Sequence, residues 1–113
     1  MKEIKAFIKP HKLPAVALAL HQIHGITGLS VLDARGFGRD RTHASQHRAI
    51  DDVVDFEPHT RIEVACLDEH VEQVVEAIRL AAHTGLPGDG KIYVSALETA
   101  VRIQTGERGE SAV

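Results

Sequence analysis

The chain has 113 residues, the length of one domain built around a single core. Its hydrophobic content of 43% without a tryptophan predicts an aliphatic core, and no apolar run is long enough to cross a membrane. The formal net charge of −3 argues against nucleic acid as the main partner, because electrostatic binding to a phosphate backbone needs a basic face.

The first third of the chain is predicted to form a strand, a helix and a second strand. Residues 2–9 alternate apolar and polar positions, which is typical of a half-buried strand, and Pro10 ends it. Pro14 fits the first turn of the next helix, where its missing N–H costs little. Gly25 closes that helix, and residues 29–35 form the second strand. The helix carries an apolar stripe of Leu13, Val16, Leu20 and Ile23.

The next segment, residues 36–58, is long and polar and interrupts this pattern. Structureless loops of this length in a compact domain usually carry function or are disordered, so we interpret it as an arm that binds a partner. A solvated β-hairpin extension is the alternative. On a helix, His43 and His47 would share one face and could bind Zn²⁺, Ni²⁺ or Cu²⁺. Carboxylates that could complete such a site are Asp40, Asp51, Asp52 and Asp55.

The order of strand, helix and strand then recurs. Residues 61–67 are predicted to form a strand that buries Cys66, and a lone buried thiol fits a cytoplasmic protein. Asp68 is the predicted N-cap of the following helix, and residues 92–94 form the last strand. The helix has an apolar stripe of Val71, Val74, Val75, Ile78 and Ala81. This order predicts an α+β, ferredoxin-like fold (βαββαβ), with two helices on one face of an antiparallel sheet.

A glycine-rich segment, residues 84–91, reads T-G-L-P-G-D-G-K. Glycines let the backbone turn tightly, so that its N–H groups can converge on an anion, and Lys91 adds a positive charge. Residues 101–104, interpreted as a strand, place Arg102 and Gln104 on one face. Together the two segments predict a phosphate-bearing ligand. Alternatively, the glycines only end a helix and turn the chain into the next strand.

Several motifs in order resemble the PII signal-transduction family over the whole chain. They are K-P-H-K-L at 9–13, G-I-T-G at 25–28, G-F-G-R at 36–39, V-V-D-F at 53–56, T-G-x-x-G-D-G-K-I at 84–92 and R-I-Q-T-G-E-R-G at 102–109. The resemblance implies a single ferredoxin-like domain over 1–113 and a homotrimer with ATP/ADP sites in the clefts between subunits. It also implies a T-loop (about residues 37–57) that docks onto a membrane transporter or a metabolic enzyme, a B-loop (84–91) and a C-terminal segment (101–113).

The resemblance also assigns the ligand contacts residue by residue. The phosphates would meet the B-loop and two arginines, namely Gly88, Asp89, Gly90, Lys91, Arg102 and Arg39. The adenine would lie near Ile8, Gly36, Phe37, Ala65 and Thr84, with Glu63 beside this pocket. Gly38 and Gln104 complete the expected nucleotide-binding set.

Three positions depart from the family pattern. Gln104 replaces a phosphate-binding arginine, a contact worth roughly 1.5–3 kcal/mol, so we expect a reduced preference for ATP and relatively better binding of ADP or AMP. Asp40 replaces a glutamine that helps to ligate Mg²⁺ in members that sense 2-oxoglutarate. A carboxylate can ligate Mg²⁺ but would repel the dianionic effector, so we expect weak or no 2-oxoglutarate sensing. Asp52 replaces the tyrosine that many bacterial members modify, and Tyr93 is predicted to be buried.

These observations predict a binding and signalling protein, and not an enzyme, because no paired acid and base accompany a nucleophile. Its T-loop would respond to the bound adenine nucleotide and regulate a transporter or a metabolic enzyme. The alternative is a metal-responsive regulator that uses His43 and His47, in the manner of the similar CutA proteins. Metal-dependent stabilisation lost on alanine substitution of those histidines would distinguish it.

Overall fold

The computed structural model describes residues 1–38 and 56–113, which form one antiparallel sheet with two helices on one face. The strands are β1 (Lys2–Ile8), β2 (Ser30–Gly36), β3 (Glu57–Cys66) and β4 (Lys91–Ala96). The helices are α1 (Leu13–His21) and α2 (Val71–Ala82), and short 3₁₀ turns occupy Pro10–Lys12, Asp68–His70 and Glu110–Ala112. The strand order β2-β3-β1-β4 confirms the predicted ferredoxin-like fold. In the described part of the chain, no helix is long and apolar enough to span a membrane.

The core lies between the sheet and the helices. Alternate residues of the two central strands, from Ile4 to Ile8 and from Thr60 to Cys66, are buried there, while the residues between them face the other side of the sheet. Both helices bury one apolar stripe against this surface, and the core is aliphatic, as predicted. Its members are Ile4, Ala6, Ile8, Val16, Leu20, Ile23, Ile62, Val64, Cys66, Val74, Ile78 and Ala82.

The predicted strand boundaries need correction at two places. β3 begins at Glu57, well before predicted residue 61, because its polar first half pairs with β2 from Ser30↔Glu63 to Gly36↔Glu57. β4 extends from Lys91 to Ala96 because it pairs along most of β1. In both cases, backbone pairing extends the strand past the apolar residues that identified it.

The prediction that Asp68 caps the second helix is wrong. Asp68 lies in the 3₁₀ turn before α2, and the N-cap of α2 is His70, which makes no side-chain capping bond. The Asp68 carboxylate instead accepts a hydrogen bond from the N-terminal ammonium at 2.8 Å, with Lys2 Nζ at 3.6 Å. That hydrogen bond from the ammonium holds the pKa of Asp68 below its usual value.

Tyr93 was predicted to be buried and is 52% exposed. It lies on the edge strand β4, opposite Lys5, on the face of the sheet that the helices leave open. Its ring packs edge to face with that of Phe7, with 6.3 Å between the centroids. The apolar residues around Tyr93 therefore form a strand that pairs with β1, but not all of them are buried.

Candidate functional site

The glycine-rich loop between α2 and β4 is closed by the carboxylate of Asp89. This carboxylate accepts hydrogen bonds from the N–H groups of Thr84 at 2.8 Å and Gly85 at 3.0 Å, and from the Thr84 hydroxyl. The Thr84 hydroxyl, followed by these backbone N–H groups and the Lys9 ammonium, holds the pKa of Asp89 far below its usual range. Asp89 therefore organises the loop from within.

Two glycines give the loop its path into β4. Gly88 has a φ of +88° and Gly90 a φ of +103°, a region that residues with a side chain rarely adopt. Gly90 also lies directly against the backbone of β1, where an added Cβ would overlap the carbonyl oxygen of Phe7. The predicted turn into the strand is thus present, and successive backbone N–H groups in such turns can form an anion-binding concavity.

Lys9 joins this loop although no ligand role was predicted for it. Its ammonium lies 3.1 Å from the Asp89 carboxylate and donates a hydrogen bond to the Thr84 hydroxyl at 3.0 Å. Lys91 begins β4 and is exposed, so a second ammonium is available at the same end of the sheet. The signal for Lys9 was the K-P-H-K-L motif, in which Lys9 directly follows β1.

A separate groove of about 370 Å³ lies at another part of the sheet. Glu63 and Ala65 of β3, both predicted near the adenine, line it, and Glu63 accepts a hydrogen bond from Arg61 Nε at 2.8 Å. The other lining residues are Thr27, Gly28, Leu29, Ser30, Ala100, Ala112 and Val113. Residues 27–30 were not predicted to contact the ligand, although two of them belong to the G-I-T-G motif that carried the resemblance.

The C-terminal segment forms a turn, so the predicted strand over residues 101–104 is wrong. The N–H of Gly106 donates to the carbonyl of Arg102 at 2.7 Å, and the N–H of Arg102 donates to the carbonyl of Glu107 at 2.9 Å. Only Val101 pairs like a strand residue, with Arg108. Gln104 lies within the turn and is exposed. The alternation of apolar and polar residues fitted a strand, but the following T-G-E sequence closes a turn.

Within residues 1–38 and 56–113, the predicted nucleotide-binding positions are spread over different parts of one chain. The glycine-rich loop adjoins β1 and β4, whereas Gly36 ends β2 at the opposite edge of the sheet. β2 is two strand spacings from β1, about 10 Å, and three from β4, about 14 Å. The side chain of Ile8 is 1% exposed and belongs to the core, so only its backbone could face a ligand. Phe37 and Gly38 follow β2, and the Phe37 ring lies 5.4 Å from that of Phe56.

Several predictions concern residues outside the described ranges. These are Arg39 at the phosphates, Asp40 at Mg²⁺, Asp52 at the T-loop tip, the metal-binding pair His43 and His47, and the carboxylates Asp51 and Asp55 that could complete their site. Within residues 1–38 and 56–113, no group of three or more His, Cys, Asp or Glu side chains is arranged to hold a metal ion.

Comparison with known proteins places this geometry in context. The family model described as "Nitrogen regulatory protein P-II" matches residues 1–107. Proteins named nitrogen regulatory protein P-II from Azospirillum brasilense and Rhodospirillum rubrum are each 51% identical over 113 residues, covering 100% of this chain and of each relative. A protein of the same name from Rhizobium meliloti is 50% identical with the same coverage.

Proposed function

Because this chain belongs to the nitrogen regulatory protein P-II family of signal-transduction regulators, we propose that it binds an adenine nucleotide and reports it to a partner through its T-loop. In this proposal the protein is cytoplasmic, and its partner is a membrane transporter or a metabolic enzyme. The protein acts by binding and not by catalysis. A nucleotide can shift the loop's population only if it binds one loop state better than another.

The observation that supports this proposal is that one chain presents two separate features that each suit part of a nucleotide. The glycine-rich loop, with two ammonium groups nearby, suits phosphates, and the groove lined by Glu63 and Ala65 suits an adenine. We infer that the two features bind one ligand together in a cleft between two copies of the chain. A closed ring of three chains supplies three such clefts.

The open face of the sheet supports this assembly. Leu32 and Tyr93 point away from the helices and are 42% and 52% exposed, and Ile103 in the C-terminal turn is 99% exposed. An antiparallel sheet with helices on one side gains stability when its other face is covered. Contact between copies of the chain would bury these apolar side chains.

In the proposed cleft, the residues of this chain bind and orient the ligand. The N–H groups of Gly88 and Gly90 donate hydrogen bonds to the phosphates. Lys91, Lys9 and the Arg102 guanidinium supply positive charge. Phe37 and Gly38 follow β2 directly into the T-loop, so a ligand held beside them and Arg39 would bias the conformation of the loop. Mg²⁺, where it joins the phosphates, would take Asp40 as an oxygen ligand.

Gln104→Arg is expected to raise the affinity for ATP about tenfold and that for AMP much less, because a guanidinium forms a charge-assisted, bidentate contact with phosphate. Isothermal titration with AMP, ADP and ATP measures this, first on the wild type, where ADP or AMP should bind at least as tightly as ATP. Gln73→Arg, the same change on the exposed side of α2, is the matched control. Tighter binding of ATP than of both other nucleotides by the wild type would contradict the role given to Gln104.

Asp40→Gln is expected to create binding of 2-oxoglutarate, because it removes a carboxylate that would repel a dianion. The measurement is titration of 2-oxoglutarate in the presence of ATP and Mg²⁺, with the wild type showing weak or no binding. ATP titrations of both proteins without 2-oxoglutarate show whether the substitution has damaged the nucleotide site. An unchanged nucleotide affinity with no gain in 2-oxoglutarate binding would rule out the electrostatic explanation.

A further inference from the structure

Arg102, the guanidinium assigned to the phosphates, is engaged by its own chain. Its Nε lies 3.1 Å from the Glu107 carboxylate, and a terminal nitrogen donates to the carbonyl of Ser111 at 3.4 Å. The turn between Arg102 and Glu107 holds the carboxylate in place, because the Arg102 N–H donates to the Glu107 carbonyl at 2.9 Å. A phosphate that binds the Nε side of the Arg102 guanidinium must therefore displace a carboxylate.

The same contacts tie the last residues of the chain to the groove. The N–H of Gly109 donates to the carbonyl of Ala100 at 3.0 Å, and the N–H of Ala112 donates to the carbonyl of Gly109 at 2.9 Å. Ala112 and Val113 then line the groove together with Glu63 and Ala65. We use "tail" for residues 109–113. The bond from Arg102 to Ser111 is the side-chain tie between the tail and the predicted phosphate site.

The ion pair between Arg102 and Glu107 is weak enough for a nucleotide phosphate to replace the Glu107 carboxylate. The two side chains are 47% and 38% exposed, and exposed ion pairs contribute little to stability because water screens them. A carboxylate and a phosphate bind a guanidinium with the same planar geometry, and a nucleotide phosphate carries more charge. A bound nucleotide can therefore replace Glu107, whereas an adenosine without phosphates cannot.

We propose that Glu107 competes with nucleotide phosphate for Arg102, and that nucleotide binding releases the tail from the groove. This inference rests on the proposed function and adds a regulatory element to the same site. When the guanidinium turns to the phosphate, the Ser111 carbonyl loses its donor and the tail loses its side-chain tie. Because the coupling between two binding events is reciprocal, the tail must also weaken nucleotide binding while it lies in the groove.

Glu107→Gln is the direct test, because it removes the charge and keeps the shape of the side chain. We expect it to bind ADP about two- to fivefold more tightly than the wild type by isothermal titration, and to bind adenosine unchanged. Glu110→Gln is the matched control, since it makes the same change in the tail at a residue that does not contact the Arg102 guanidinium. Equal ADP affinity in wild type and Glu107→Gln, or an equal gain for adenosine, overturns the inference.

Amide hydrogen exchange at Ala112 and Val113 provides a second readout. Exchange should accelerate in the wild type when ADP is added, because the Arg102 guanidinium then releases the Ser111 carbonyl. Unchanged exchange in the wild type at saturating ADP overturns the release of the tail. A wild type that binds ADP without any gain in Glu107→Gln rejects only this inference, whereas a wild type that binds no adenylate rejects the proposed function as well.

Discussion

Replacing Gly90 with alanine is expected to lower the free energy of unfolding by about 3 kcal/mol or more. The backbone at Gly90 has a φ of +103°, and the added Cβ would overlap the Phe7 carbonyl oxygen and lie 2.7 Å from its carbonyl carbon. Neither β1 nor the loop can give way easily, because β1 is a central strand paired on both sides. Denaturant unfolding at a fixed protein concentration measures the loss.

Two other glycines separate the causes of that loss. Gly106 has a φ of +76° with open space around it, so Gly106→Ala reports the cost of the backbone conformation alone, about 1 kcal/mol. Gly28 has neither a positive φ nor an atom within 4 Å of an added Cβ, so Gly28→Ala should leave stability nearly unchanged. A Gly90→Ala loss no larger than that of Gly106→Ala would show that the contact with Phe7 does not matter.

Asp89→Asn is expected to cost about 2 kcal/mol of stability near neutral pH and to abolish most nucleotide binding, because it breaks the bonds that close the glycine-rich loop. An amide has only one acceptor oxygen, so its NH₂ group would face either the N–H groups of Thr84 and Gly85 or the Lys9 ammonium. Urea unfolding and titration with ADP measure the two effects. Asp33→Asn, at an exposed position of β2, is the control.

Protonation of Asp89 is expected to lower the stability of the protein at acid pH. The pKa of Asp89 is lower in the folded chain than its unfolded value of about 3.9, so its contribution is complete above that value. It is lost as the pH falls through the lowered, folded pKa. Wild-type stability should therefore fall more steeply than that of Asp89→Asn between about pH 5 and pH 2. Parallel curves for the two proteins would mean that Asp89 does not hold the loop as described.

The fold could be predicted from sequence because its signals are local. The alternation in residues 2–9 placed Ile4, Ala6 and Ile8 on the core side of β1, and the stripe of α2 identified its buried face. Pro14 lies in the first turn of α1, as expected. Each of these signals depends only on the period of a strand or a helix, which neighbouring residues in the chain define.

Local signals failed wherever a distant partner decided the outcome. Asp68 is of a residue type that often caps helices, but its carboxylate binds the ammonium of Met1. Tyr93 lies in an apolar run, but its strand occupies an edge of the sheet. Lys9 contacts the glycine-rich loop only because β1 and β4 are paired, which brings Thr84 and Asp89 beside it.

Motifs and local periodicity were sufficient to predict the family, the order of the elements and the residue types of the glycine-rich loop. Strand pairing and packing were needed to show that Asp89 closes that loop, that Glu107 contacts Arg102, and that the loop and the groove lie apart on one sheet. The physical reason is that hydrogen bonds and ion pairs depend on distance in space, and strand pairing sets that distance independently of separation along the chain.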